Sequence, residues 1–158
     1  MLAGPTTGSG PAGPLLYDVA YADTDAGGIV YHATYLAMAE RSRNRVLAAL
    51  GVPVAQMRAR FGVFFVIRDI RATYHRPSFV GDTLTLSSGI VTATPARAVW
   101  RTTVSRNADP VCDVEAQIAA FDPASRGPCL LPADLVALLD TAPRLPRARR
   151  SPMMKMEP

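Results

Sequence analysis

A chain of 158 residues has the size of one domain, since domains usually contain about 100 to 200 residues. Its composition, 49% hydrophobic and 19% charged, is that of an ordinary globular protein and excludes a wholly disordered or collagen-like chain. The net charge of +4 lies entirely after Pro143, where five basic residues accompany one acidic residue. A nucleic-acid partner is therefore not expected for the folded part.

The sequence also argues against a membrane protein and against a metalloprotein. It contains no apolar run of the roughly 18 residues that a membrane helix needs, and no signal-peptide pattern. We therefore expect a cytoplasmic protein without an integral membrane segment. Two cysteines, Cys112 and Cys129, are too few for a disulfide framework or a metal cluster and are expected to be reduced thiols. No nucleotide-binding glycine motif is present, and we expect neither a metal nor a cofactor.

The two ends of the chain differ in composition from its middle. Residues 1–14 are rich in Gly, Pro, Ser and Thr, and residues 143–158 combine spaced prolines with arginines. Such segments bury too little apolar surface to offset the entropy lost on ordering. We predict a flexible arm over 1–14, a folded domain over 15–142 and a flexible basic tail over 143–158.

The predicted elements begin with a strand over residues 15–22, which a polar loop ends. Apolar residues at helical spacing then predict one long helix over 34–50, ended by Gly51 and Pro53. A short helix is predicted over Pro132–Leu139. Between the two helices, four strands are predicted at 64–75, 83–94, 98–106 and 112–120.

This order of elements indicates an α+β fold. Turns of hairpin length join the later strands, which favours antiparallel pairing over the crossover connections of a parallel sheet. We therefore predict an antiparallel sheet of five strands with the long helix packed on one face.

One segment concentrates the chemically active side chains. Residues 21–32 contain two carboxylates, two tyrosines and a histidine, between the first strand and the long helix. The N–H groups at a helix start can stabilise an oxyanion, and Gly27 and Gly28 would let a substrate approach the backbone. A carboxylate beside such donors could carry out acyl transfer. On spacing alone, however, Asp-Thr-Asp is more often an Asx turn or helix cap, and a single histidine more often a hydrogen-bonded core residue.

A family resemblance favours the functional interpretation. The string Tyr-x-Asp-Thr-Asp-Ala-Gly-Gly-Ile-Val-Tyr-His-Ala-x-Tyr, running into Glu40-Arg41-x-Arg43, resembles acyl-CoA thioesterases of the hotdog fold. The 4-hydroxybenzoyl-CoA thioesterase and Tol-Pal-associated types are the most similar branches. The similarity extends over about residues 15–140, through Phe65-Val66-Ile67-Arg68, Tyr74-x-x-Pro77 and Gly81-Asp82-x-Leu84. It implies a five-stranded antiparallel sheet wrapped around one long helix.

The resemblance also implies roles for individual residues. Asp25 matches the catalytic carboxylate, which acts as nucleophile through a mixed anhydride or as general base for water. His32 and Tyr21 match supporting positions, and Asp23 is interpreted as bracing the turn. Glu40 also needs consideration, because another hotdog branch uses a helix glutamate as its catalyst. Because the Asp25 loop is intact, we predict instead that Glu40 pairs with Arg43 one turn on.

Substrate contacts and assembly follow from the same resemblance. Coenzyme A phosphates need exposed cations, and Arg97 lies where relatives carry basic residues, with Arg68, Arg71 and Arg76 as further candidates. Gly27 and Gly28 are expected at the substrate. The implied assembly is a homodimer or homotetramer in which the segment Gly62–Phe65, with Phe64 and Phe65, faces the partner subunit's Asp25 and His32.

The predicted function is hydrolysis of an acyl-CoA thioester to a free acid and coenzyme A. One alternative keeps the chemistry but releases a polyketide or aryl acyl group from an acyl carrier protein. The other is a non-catalytic hotdog module that binds acyl-CoA, and the presence of Asp25 disfavours it.

Overall fold

The structure, a computed structural model, describes residues 12–148. The strands in this range are β1 (Leu15–Asp18), β2 (Phe64–Tyr74), β3 (Thr83–Thr94), β4 (Arg97–Arg106), β5 (Asp109–Asp122) and β6 (Gly127–Cys129). The helices are α1 (Thr34–Ala49), α2 (Met57–Phe61) and α3 (Ala133–Leu139), and 3-10 turns occupy Tyr21–Asp23 and Val54–Gln56. None of these helices is long and apolar enough to cross a membrane.

All the strands belong to one antiparallel sheet with the order β1-β3-β4-β5-β2, and β6 pairs with the end of β5. Strands β3, β4 and β5 form a meander joined by tight turns. Strand β2 pairs with β5, so that Phe64 lies opposite Phe121 and Tyr74 opposite Cys112. The long strand β2 and the short strand β1 therefore form the two edges of the sheet.

Helix α1 packs across one face of this sheet. Its buried residues recur at three- and four-residue intervals: Tyr35, Met38, Ala39, Ser42, Arg43, Val46 and Leu47. Met38 and Leu47 are fully buried, and burial of each contributes about 1.5–3 kcal/mol. The helix ends where Gly51 adopts a positive φ of 79°, and the Val52 N–H donates to the Leu47 carbonyl at 2.9 Å.

The core lies between α1 and the inner face of β3, β4 and β5. On β5 the buried residues alternate with half-buried ones, as expected for a strand with one covered face. Trp100 is the largest fully buried side chain. A buried polar contact accompanies it: the Ser88 hydroxyl donates to the Ser42 Oγ at 2.9 Å and lies 2.6 Å from the Thr102 Oγ1. These three hydroxyls form hydrogen bonds with one another, which offsets the free-energy cost of removing them from water.

The segment Pro143–Ala148, here called the strap, crosses the outer face of the sheet. Ile90 anchors its start, since its N–H donates to the Pro143 carbonyl at 2.7 Å and its carbonyl accepts from the Leu145 N–H at 3.1 Å. Arg101 then donates to the Pro146 carbonyl at 2.9 Å, and the Ala148 N–H donates to the Glu115 carboxylate at 3.2 Å. The strap thus runs from the edge of β3 over β4 to β5.

Gly89 makes room for the strap, because a Cβ at this position would lie 2.4 Å from the Pro143 carbonyl oxygen. We expect Gly89→Val to lower the free energy of unfolding by about 1–3 kcal/mol in urea titrations. Without this contact, valine would stabilise the strand relative to glycine. A loss of stability in Gly89→Val would therefore indicate that the strap limits the space at this position. The control is Gly13→Val, where a Cβ meets nothing within 4 Å. Equal effects of the two substitutions would contradict this role of Gly89.

Several element predictions agree with the structure, and others differ. The long helix and the four later strands lie within a few residues of their predicted bounds. The predicted first strand, 15–22, stops at Asp18 because the chain turns into the 3-10 segment. Helix α2 and strand β6 were not predicted. The strap belongs to the predicted tail but contacts the sheet as far as residue 148; the rest of that tail and residues 1–11 of the predicted arm lie outside the described residues.

Candidate active site

The turn before α1 is braced by Asp23. Its carboxylate accepts hydrogen bonds from the Tyr17 hydroxyl at 2.7 Å and the Ala20 N–H at 2.9 Å, and its carbonyl accepts from the Tyr31 N–H at 2.9 Å. Burial and the hydrogen bond to Asp23 raise the pKa of Tyr17, so its hydroxyl stays protonated and donates. These contacts fix both ends of the loop that carries Asp25.

Asp25 sits at the tip of this loop in an Asx turn. Its Oδ1 accepts from the Gly27 N–H at 2.8 Å, while the Gly28 N–H donates to the Asp25 carbonyl at 2.9 Å. Gly28 has a φ of +75°, which disfavours other residues there. The Asp25 N–H donates to the Ile29 carbonyl at 3.0 Å. One carboxylate oxygen is thus held by the backbone, and the exposed side chain keeps the other available.

The Asp25 carboxylate borders a cavity of about 360 Å³, here called the catalytic cavity. Its lining residues are Asp25, Ile29, Val30, His32, Tyr35, Tyr74, His75, Arg76 and Pro77. The cavity lies between the loop, the start of α1 and the end of β2. It thereby brings together a carboxylate, two histidines and apolar side chains, as a site for an apolar acyl group requires.

Two tyrosines complete the cavity wall. The Tyr74 hydroxyl donates to the His32 carbonyl at 3.0 Å, which joins β2 to the start of α1. The Tyr35 and Tyr74 rings pack edge to face, 5.8 Å between centroids. Burial raises the pKa of both hydroxyls, so both are neutral at physiological pH. Sequence reasoning placed Tyr35 on the buried helix face and Tyr74 in a family motif but assigned neither to the site.

In the part of the chain that the structure describes, backbone N–H groups without a partner are present just before α1, and one of them belongs to His32, which lines the catalytic cavity. The backbone N–H groups of His32 and Ala33 donate to no acceptor within residues 12–148. They lie at the start of α1, where the helix dipole adds a partial positive charge. These groups can stabilise negative charge that develops on a carbonyl oxygen in the cavity.

The predicted site residues divide into two groups. Asp25 and His32 meet at the catalytic cavity, and Gly27 and Gly28 shape the Asp25 turn. Tyr21 is 84% exposed and is not among the lining residues, so the structure does not bring it to the cavity.

Three residues predicted to bind substrate, Phe64, Phe65 and Arg97, lie outside this cavity within one chain. Phe64 and Phe65 are the first residues of β2. Arg97 is the first residue of β4, and its N–H donates a hydrogen bond to the Thr94 hydroxyl at 3.3 Å. Of the further arginine candidates, Arg76 lines the catalytic cavity, and its guanidinium donates to the Pro110 carbonyl at 3.0 Å.

The predicted ion pair between Glu40 and Arg43 is not formed. Within residues 12–148, neither side chain takes part in a salt bridge. Arg43 is 9% exposed, whereas Glu40 is exposed, because successive helix positions three apart point in directions that differ by about 60°. Arg43 is therefore a buried residue of α1 without its predicted partner.

The cysteines offer no competing nucleophile. Cys112 is buried under α1, and burial raises its pKa to about 12, so the thiolate is scarce at neutral pH. Cys129 in β6 is a free thiol that does not line the catalytic cavity. Asp25 is the available anionic group on the cavity wall among the described residues.

In a comparison with known protein families, residues 19–139 match the thioesterase-like superfamily. The chain is 31% identical over 120 residues to the acyl-CoA thioester hydrolase YbgC of Escherichia coli O6:H1, covering 75% of this chain and 89% of that protein. It is 27% identical over 119 residues to the acyl-CoA thioesterase YbgC of Haemophilus influenzae, covering 75% and 88%.

Solved structures share the fold. A probable thioesterase from Bartonella henselae superposes with a TM-score of 0.69 at 27% identity, covering 75% of this chain and 98% of that one. A hypothetical protein from Thermus thermophilus gives a TM-score of 0.76 at 22% identity, covering 83% and 99%. A 1,4-dihydroxy-2-naphthoyl-CoA thioesterase from Synechocystis gives 0.73 at 18% identity, covering 80% and 94%. At these lower identities the likeness concerns the fold alone.

Proposed function

Since this chain belongs to the thioesterase-like superfamily and is an acyl-CoA thioesterase, we propose that Asp25 is its catalytic carboxylate. The predicted α+β hotdog fold is confirmed: an antiparallel sheet packs around one long helix, with β6 as a short addition. The observation that supports the proposal for Asp25 is its position. An exposed carboxylate, oriented by the Gly27 N–H, borders the catalytic cavity beside the start of α1.

Two routes from the thioester use the same groups. In one, the free Asp25 oxygen attacks the carbonyl carbon, the C–S bond breaks, and water then hydrolyses the mixed anhydride. In the other, Asp25 takes a proton from a water molecule that attacks the carbon directly, and the C–S bond then breaks to release coenzyme A. In both, the carbonyl oxygen becomes an oxyanion that the N–H groups of His32 and Ala33 can stabilise. Single-turnover hydrolysis in ¹⁸O-labelled water can identify the anhydride route, because label enters Asp25 only when water attacks the Asp25 carboxyl carbon of the anhydride.

We further propose that two subunits build the site together, as a homodimer or a tetramer of two such dimers. Strand β2 leaves one edge unpaired, and several of its apolar side chains are exposed: Phe64, Val66, Ile67, Ile70 and Tyr74, at 39–48%. An edge of this length with apolar side chains favours pairing with a second copy. Two-fold antiparallel pairing of β2 would bring the partner subunit's Gly62–Phe65 towards the end of β2 that lines the catalytic cavity. The N–H groups of that segment would then help to hold the thioester oxygen.

Coenzyme A would extend from the cavity over the exposed surface. Arg97 at the β3–β4 turn is exposed, and Arg76 lies on the cavity wall. We propose these cations as partners for its phosphates. A cytoplasmic location is proposed with this substrate and is supported by two cysteines that are both free thiols.

A thiol-release assay with short, long and aromatic acyl-CoA substrates tests the activity. We expect release of free coenzyme A above the uncatalysed rate for at least one acyl class. The same acyl groups on an acyl carrier protein form the second arm, and a higher kcat/KM there would identify a carrier-protein substrate. Tight binding of acyl-CoA without thiol release from any substrate would contradict the enzyme and support a binding module.

A further inference from the structure

Arg43 is a mostly buried arginine without a hydrogen-bond partner among the described residues. Its side chain lies on the sheet-facing side of α1, is 9% exposed and makes no hydrogen bond or salt bridge with any of residues 12–148. Burial lowers its pKa, and the charge of Glu40 on the preceding turn raises it. An arginine keeps its proton under all physiological conditions, so the positive charge persists. Its guanidinium nitrogens are not fully enclosed by the described residues, so an anion from outside the chain can reach the charge and pair with it.

A second cavity receives this guanidinium. It measures about 120 Å³, well above the roughly 10–15 Å³ that one water molecule needs. Its apolar wall is formed by Val54, Phe65, Ile67 and Ile118, and Glu40 and Asn44 stand beside Arg43 on the helix side. The cavity suits the end of an apolar chain or ring that carries one small anionic group.

The position of this cavity connects it with catalysis, provided that the proposed shared site is correct. Tyr74 at one end of β2 lines the catalytic cavity, and Phe65 near the other end lines the Arg43 cavity. Antiparallel pairing of two β2 strands about a two-fold axis places the Phe65 end of one chain against the Tyr74 end of the other. The partner subunit's Arg43 cavity then continues the space beside Asp25.

We propose that Arg43 binds a carboxylate at the far end of the acyl group that the other subunit's Asp25 hydrolyses, so that acyl-CoA thioesters of dicarboxylic acids are preferred substrates. A guanidinium has five N–H donors and no acceptor, and a carboxylate matches it in charge and in fork geometry. A hydroxyl or carbonyl would leave the charge unpaired. Glu40 opposes an anion only weakly, because its side chain is exposed and its charge is screened by water and salt.

The wild-type protein gives the first test. The kcat/KM values for adipoyl-CoA and suberoyl-CoA are compared with those for hexanoyl-CoA and octanoyl-CoA, which have the same carbon counts but no terminal carboxylate. We expect a preference of about tenfold or more for the carboxylated member in at least one pair. Equal or better hydrolysis of the neutral member in both pairs would overturn the inference and leave the thioesterase activity intact. Absence of hydrolysis with all four, while another acyl-CoA such as an aromatic one is hydrolysed, would also overturn the inference. Absence of hydrolysis with every acyl-CoA would contradict the proposed function itself.

The Arg43→Met variant gives the second test. Methionine fills a similar volume without the charge, so we expect the preference to disappear through loss of kcat/KM for the carboxylated substrate while the neutral substrate is hydrolysed as before. The control is Arg45→Met, an exposed position on the same helix, which should retain the wild-type preference. Arg43→Lys keeps the positive charge but lacks the planar guanidinium. Its preference for the carboxylated substrate should therefore lie between those of Arg43→Met and Arg45→Met.

A different result would assign Arg43 to assembly. If Arg43→Met raises the dimer dissociation constant in analytical ultracentrifugation but leaves the substrate preference unchanged, the guanidinium pairs with a partner carboxylate, and the inference is wrong. The wild-type comparison does not depend on folding of any variant, so the preference is tested even if Arg43→Met fails to fold.

Discussion

Asp25→Asn is expected to lower kcat about 1000-fold or more, which corresponds to about 4 kcal/mol of lost transition-state stabilisation. The asparagine side-chain oxygen can still accept the Gly27 N–H that Asp25 holds at 2.8 Å, so the turn should keep its shape. The amide, however, is neither a nucleophile towards a thioester nor a base for water. Steady-state kinetics with an acyl-CoA substrate, together with a thermal unfolding curve, would measure both effects.

The matched control for this substitution is Asp23→Asn in the same loop. Its carboxylate accepts from both the Tyr17 hydroxyl and the Ala20 N–H, and an amide oxygen can replace only one of these acceptors. We expect a lower melting temperature with kcat largely retained. If Asp23→Asn removed the activity and Asp25→Asn did not, the catalytic carboxylate would be Asp23.

Subunit complementation is the second large expected effect. A chain with Asp25→Asn and a chain with Phe64→Pro should each be inactive alone, because one lacks the carboxylate and the other lacks an N–H in the segment that faces it. A dimer of one chain of each kind contains one site made entirely of unaltered parts. Co-refolded mixed dimers should therefore regain about half of the activity of a wild-type dimer. Proline is tolerated at the first position of a strand, which is where Phe64 stands in β2.

The control for complementation places both substitutions in one chain and refolds it with the wild-type chain. Both sites of that mixed dimer contain one damaged half, so mixing should add no activity and should dilute the wild-type dimers. Mixed dimers that stay inactive in the first experiment, or a wild-type monomer that is active at nanomolar concentration, would show that each chain holds a complete site.

Much of the fold follows from local patterns in the sequence. Apolar residues from Tyr35 to Leu47 repeat at helical spacing because α1 packs one face on the sheet, and β5 alternates because its inner face is covered. Helix α2 has five residues and β6 three, too few for either period to show. The strap was not predicted, because its contacts with Ile90 are backbone hydrogen bonds. Such bonds leave no hydrophobic pattern in the sequence.

The site was predicted in its loop but not in its surroundings. Asp25 and His32 lie close together in the chain and share the cavity, so one motif locates both. Tyr74 reaches His32 from the far end of β2, a contact between residues that only the β2–β5 pairing brings together. Arg43 follows the buried Ser42 in the sequence, yet charge alone predicts an exposed side chain. Its burial depends on how α1 is rotated against the sheet, which helical spacing does not fix to within one residue.

The pairing of β2 with β5 also affects how the chain folds during its synthesis. Strands β3, β4 and β5 can assemble from neighbouring hairpins, whereas β2 has no partner until β5 has been synthesised. At roughly 5–20 residues per second, translation takes several seconds to pass from the end of β2 to the end of β5. During this interval the backbone groups of β2 that later pair with β5, and the Phe65 side chain that later packs against the core, remain uncovered on the nascent chain. We therefore expect chaperones to bind the growing polypeptide at this strand, and misassembly to begin there when they are scarce.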